Sequence, residues 1–180
     1  QMGAYYTKED ITEYISKNTI IPFLFDAAQK KCPIAFKPGS FLWRLLRDDP
    51  DRYIYAAVRH GVIDSAGNVI PLPKEIEAGV KDVAKRGGWN KAAPEPFALP
   101  TETWREHVAR RQRCLELREK LRNGEVHQIN DLITLNLDIW QFARDAIVNS
   151  EGPELLRAFW HAIAGRIPEK SNEKLELGMT

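Results

Sequence analysis

The chain has 180 residues, with 43% hydrophobic and 28% charged side chains, a composition ordinary for a globular domain with a core. Its 26 basic and 25 acidic side chains leave a net charge of +1, so no global field announces a nucleic-acid partner, although a local basic face remains open. No apolar run is long enough for a transmembrane helix, and no secretory signal is legible at the N-terminus, so no membrane partner is expected. Cys32 and Cys114 stand far apart without partner spacing, which favours a reduced, cytoplasmic protein. His60, His107, His127 and His161 form no ligand pair, so no metal site is expected.

In chain order, Thr7 is a candidate N-cap with Asp10 three residues on, and Ile11, Tyr14 and Ile15 follow helical spacing from about Lys8. Pro22 implies either a kink or a second helix from about Ile20 to Gln29. Ser40 is placed to cap a short helix through Phe41, Leu42, Leu45 and Leu46. Asp48-Asp49-Pro50-Asp51 resembles a metal cluster superficially, but before a proline it fits a helix start, with Tyr53, Ile54, Ala57 and Val58 as the buried stripe and Gly61 as the stop. Phe41, Trp43, Tyr53 and Tyr55 fit a local core better than a base-stacking platform. Two β-branched runs around a polar turn predict a small β-hairpin over residues 62–70, held to an edge by Pro71 and Pro73.

A helix is expected from about Lys74 to Lys85, ahead of Gly87-Gly88. Residues 87–100 carry Pro94, Pro96 and Pro100 without periodicity and form the best internal loop or linker. Thr103 and Glu106 predict a capping box opening a helix to about Arg122. Further helices are expected from about Asn130 to Val148, with Leu132, Ile133, Ile139, Trp140, Ala143 and Ile147 inward, and from Gly152-Pro153 to Gly165 through Leu155, Leu156, Phe159, Trp160 and Ile163. The fold class is therefore mainly α, a helical domain with one small hairpin. The segments divide as 1–31, 32–86, 87–100, 101–166 as a three-helix unit, and 167–180 as a polar tail or a connection onward.

No nucleotide loop, GxSxG or HExxH is present, and no catalytic residue can be named. The most basic segment is Arg105 to Arg122, where Arg110, Arg111, Arg113 and Arg118 are candidate DNA-backbone contacts. The same pattern fits a solvated helix with internal pairs such as Glu116 with Lys120. Around Thr7 a third possibility arises, since a helix N-terminus beside two tyrosines can receive the carboxylate of a small zwitterion.

Gly3-Ala4-Tyr5-Tyr6-Thr7, followed by Glu9-Asp10-Ile11 and Tyr14-Ile15, resembles the G-x-[YF]-[YF]-T-P-x-x-[IV]-x-x-[YF]-[IM] element of adenine-specific (N6) DNA methyltransferases of the large restriction–modification and phage-defence type. Lys8 stands where that family has proline, which a first helical turn tolerates. A looser likeness extends through Asn18–Pro22 and, near the other end, Arg157–Trp160 and Arg166–Lys174. The resemblance implies that Tyr5, Tyr6 and Thr7 border S-adenosylmethionine, and that double-stranded DNA is the partner of the intact enzyme. It also implies a catalytic domain, missing here, whose Asp-Pro-x-x-Gly-Ser-Gly and Asn-Pro-Pro-Tyr motifs follow this region. Alone the chain would then be inactive, a helical accessory region beside that domain. The alternative is a stand-alone helical module that binds nucleic acid or protein.

Overall fold

The computed structural model describes residues 8–165, and these form a mainly helical fold. Helix α1 (Glu9–Lys31) runs through Pro22 as one 23-residue element, with Lys8 at the N-cap position. Ile21, Phe25 and Ala28, at i, i+4 and i+7, are its buried stripe, and this anchoring on both sides of Pro22 holds the helix together despite the missing N–H. Phe25 is the centre of the core: its ring lies 5.5 Å from Phe142, 5.1 Å from Phe159 and 6.2 Å from Phe36. Phe142 continues the stack to Trp43 and Tyr53, both at 5.9 Å. Phe41 and Tyr55, the other two members of that aromatic group, are half-buried.

Helix α2 (Phe41–Asp48) forms where expected, with Leu42, Trp43 and Leu46 buried. Ser40 does not cap it through its side chain; its hydroxyl donates instead to the Ala35 carbonyl at 2.6 Å. The helix expected after Pro50 is broken. A 3-10 turn (Pro50–Arg52) and the single turn α3 (Ala56–Arg59) flank Tyr53 and Ile54, which are buried, while Ala57 is exposed. The Tyr53 carbonyl is taken by the Asp138 amide, and the Ile54 carbonyl by Arg59 Nε, so the backbone is satisfied without a continuous helix.

The β-hairpin is not formed. Residues 62–70 make one isolated antiparallel bridge, Ile63 with Val69. The Asp64 carboxylate accepts from the Ala66 and Asn68 amides and closes a tight loop, and the Gly67 and Ile70 carbonyls go to arginines rather than to a partner strand. Helix α4 (Lys74–Lys81) is shorter than expected because Asp82 caps a separate 3-10 turn (Val83–Lys85). Residues 87–100 are loop, tied back through the Ala92–Thr103 bridge and the Arg105 amide on the Trp89 carbonyl. Trp89, Trp104, Val108 and Ile76 form a second, smaller core there.

Helix α5 (Trp104–Arg122) opens with the full Thr103–Glu106 capping box. The single helix expected over 130–148 is two: α6 (Ile129–Thr134) and α7 (Ile139–Val148). Asn136 takes the left-handed region at φ 51°, a conformation Asn tolerates, and the Asp138 carboxylate caps α7 through the Gln141 amide. That break turns Trp140 and Ile147 outward, at 47% and 50% exposure, against the expectation that both face in. Helix α8 (Pro153–Ala164) packs on α1 through Phe159 and buries Leu155 and Ala158, with Leu156, Trp160 and Ile163 on its outer side.

One glycine carries a strict demand. Gly61 ends α3 at φ 66°, and a Cβ there would sit 2.2 Å from the Phe97 carbonyl oxygen. Gly61→Ala is expected to cost more than ~2 kcal/mol, combining left-handed backbone with steric overlap. Gly124→Ala, at φ 69° with no atom within 4 Å of the added carbon, is expected to cost only ~1 kcal/mol when both variants are compared by urea unfolding.

Candidate functional site

Tyr5, Tyr6 and Thr7 lie outside the described residues. The helix they precede begins with seven exposed residues, Glu9 to Ile15, among them Ile11, Tyr14 and Ile15. Tyr14 touches the body of the fold through its hydroxyl, 3.3 Å from Asn136 Oδ1, and Lys17 lies 5.4 Å over the Trp140 ring.

The four arginines proposed for DNA contact do not share a surface. Arg110 is buried at 7% exposure and paired with Glu102, Nε to Oε1 and Nη2 to Oε2, both at 2.8 Å. Its Nη1 donates to the carbonyls of Ala57, Val58 and His60, and Nη2 to that of Phe97. Arg118 is buried at 5% and donates to Asp51 Oδ2 at 2.8 Å and to the Gly67 carbonyl. Arg111 is half-buried and donates to the Ile70 carbonyl. Arg113 alone of the four is exposed. A phosphate-contacting face built on all four is therefore replaced by two internal pins, one groove residue and one surface cation. The acids before Tyr53 are similarly divided, Asp51 serving Arg118 and Asp48 pairing with Arg47. Among the described residues no group of three or more His, Cys, Asp or Glu side chains is placed to hold a metal ion.

The spacing in α5 held a usable signal. His107, Cys114 and Leu121 are buried at i, i+7 and i+14, and Arg110 and Arg118 fall on that same stripe, where a solvent-facing arginine has no place. A second polar centre was missed altogether. Asp145, buried on α7 beside Phe142 and Ala146, accepts from Arg52 Nε and Nη2, from the Tyr53 hydroxyl at 2.9 Å and from Gln141 Nε2 at 3.0 Å. The hydrogen bonds from Arg52 hold its carboxyl below the usual carboxylate range. Burial first, and then Asp145, pushes the Tyr53 phenol up. With four hydrogen bonds on one carboxylate, this centre ties the 3-10 turn and Tyr53 to α7.

His107 sits beside the Glu102–Arg110 pair. Its Nδ1 lies 3.1 Å from Arg110 Nη2, and its buried Nε2 has no hydrogen-bond partner among the described residues. Burial, and then the Arg110 charge, lowers its pKa to about 4, whereas Arg110 draws Glu102 below its ordinary value. Cys32 and Cys114 are both buried free thiols.

No protein-family model matches the chain, nor does any curated protein or solved structure.

A histidine kept neutral by the fold and free to charge when unfolded makes stability rise with pH. His107 contributes fully above its ordinary value of 6.5, and that contribution drains away as pH falls toward about 4. Urea unfolding between pH 7 and 4.5 is expected to show this loss, with a slope approaching ~1.4 kcal/mol per pH unit. In His107→Phe the slope should shrink across the same window; an unchanged slope would place the dependence elsewhere.

Proposed function

We propose that the chain is a helical region of an S-adenosylmethionine-dependent DNA adenine-N6 methyltransferase of the restriction–modification or phage-defence type. It supplies part of the cofactor pocket and an accessory body, and does not methylate DNA alone. The observation that carries the reading is the Gly3–Ile15 stretch, whose pattern runs directly into α1. Two features of the fold support it. The first turns of α1 are exposed, which leaves that end of the helix accessible to a pocket completed by another body. The outer stripe Leu156–Trp160–Ile163 of α8 offers apolar surface for such a body to cover. Tyr5, Tyr6 and Thr7 then line the methionine end of the cofactor. Any DNA-backbone contact from α5 rests on Arg113 with its exposed neighbours Arg105, Lys120 and Arg122.

The same apolar stripe also favours a second reading, a stand-alone helical module that binds a protein partner. The open reading frame separates the two. A methyltransferase requires Asp-Pro-x-x-Gly-Ser-Gly and then Asn-Pro-Pro-Tyr (or Phe) downstream of Thr180, and a frame with neither sinks the proposal. In the intact enzyme, Tyr6→Ala and Thr7→Ala are each expected to weaken S-adenosylmethionine binding by about tenfold, measured by calorimetry. Wild-type affinity in both variants would remove these residues from the pocket.

A further inference from the structure

Three arginines of α5 are withdrawn from water to different degrees, and they are not equivalent. Arg110 has Glu102 and Arg118 has Asp51. Arg111 has no carboxylate within ion-pairing distance among the described residues, and its one hydrogen bond is Nη1 to the Ile70 carbonyl. Burial lowers its pKa from the ordinary value, against weaker opposing effects of Cys114 and Glu77, the mark of a cation partly stripped of solvent with no direct ion pair. It borders a groove of about 740 Å³ between α4 and α5, whose apolar walls include Leu72, Val80, Val108 and Leu115. Volumes of roughly 300–1,000 Å³ with apolar walls and a few polar groups are typical of small-molecule sites.

We propose that the α4–α5 groove binds a small apolar carboxylic acid, with the carboxylate on Arg111 and the hydrocarbon against Leu72, Val80 and Leu115. A guanidinium offers a planar fork matched to a carboxylate, and Ile70 occupies one of its nitrogens. The remaining charges on the groove narrow the class. Glu77, Glu116 and Glu119 outnumber Arg111 and Lys81, so the lining repels a dianion more strongly than a monoanion, and a monocarboxylate is held only by its direct contact with Arg111. The groove is open at the surface, where Val80 is 47% exposed, so entry needs no unfolding. The inference does not rest on the methyltransferase reading, although it moves Arg111 from phosphate contact to ligand binding.

The test uses the full chain and decanoate as the probe, titrated by calorimetry and followed by amide chemical shifts. Saturable one-to-one binding is expected, with shifts confined to residues 71–81 and 108–119. Arg111→Gln should weaken it by at least about tenfold. Val80→Asp should do the same by placing a negative charge on an exposed wall, which keeps the test decisive if the Arg111 variant folds poorly. Arg113→Gln should bind like wild type. Decanol and decyl phosphate should both bind more weakly than decanoate. No saturation by about 1 mM, shifts elsewhere, or equal affinity in the folded Val80→Asp or Arg111→Gln variant would overturn the proposal.

Discussion

A guanidinium removed from water holds this fold together. Arg110 reaches from α5 into the space between α3 and the 94–102 loop, where Glu102 and four backbone carbonyls receive it. Burying such a charge is favourable only when nearly every donor finds an acceptor, and here the acceptors come from two separate segments, residues 57–60 and the 94–102 loop. The pair therefore fixes where α3 ends and how the loop after α4 returns. Arg118, further along the same stripe, is held less completely, donating through Nη2 to Asp51 and the Gly67 carbonyl while its buried Nε has no acceptor among the described residues. Gly61 follows from the same arrangement, because the Phe97 carbonyl that serves Arg110 leaves no space for a side chain there.

Arginines of the same helix mark where the short β-branched runs stop pairing, beyond the single Ile63–Val69 bridge. Within that bridge the Val62 and Asn68 carbonyls accept from the Ile70 and Asp64 amides, whereas Arg118 and Arg111 take those of Gly67 and Ile70. Pro71 and Pro73 have no amide to give. The polar interior of α5 thus anchors this loop, and the aromatic core around Phe25 and Phe142 supplies the apolar half of the architecture.

Local signals were legible where the chemistry is local. The Thr103–Glu106 capping box, the start of α8 at Pro153 and the short α2 could be placed from sequence. What failed depended on partners distant in the chain. The break between α6 and α7 requires the Asp138 amide to meet the Tyr53 carbonyl, and nothing near residue 136 announces that contact. Arg110 and Arg118 looked like phosphate ligands because their acids, Glu102 and Asp51, lie 8 and 67 residues away. The Asp145 centre was invisible for the same reason, since Arg52 and Tyr53 are 93 and 92 residues upstream of it. Of the proposed cofactor residues, the sequence offers a pattern, and the fold offers the exposed helix end that follows them. Internal use of α5's arginines moves the outward chemistry elsewhere, to the apolar stripes of α1, α7 and α8 and to the groove beside Arg111.

The central claim is that Arg110 and Glu102 act as one buried unit, and a double-mutant cycle measures that directly. Arg110→Gln, Glu102→Gln and the double variant would be compared by urea unfolding at pH 7. Each single change is expected to cost ~3–5 kcal/mol, because it leaves the other charge buried alone. The double variant should cost little more than either, giving a coupling of at least ~2 kcal/mol. Additive costs, with a coupling within ~0.5 kcal/mol of zero, would contradict the account.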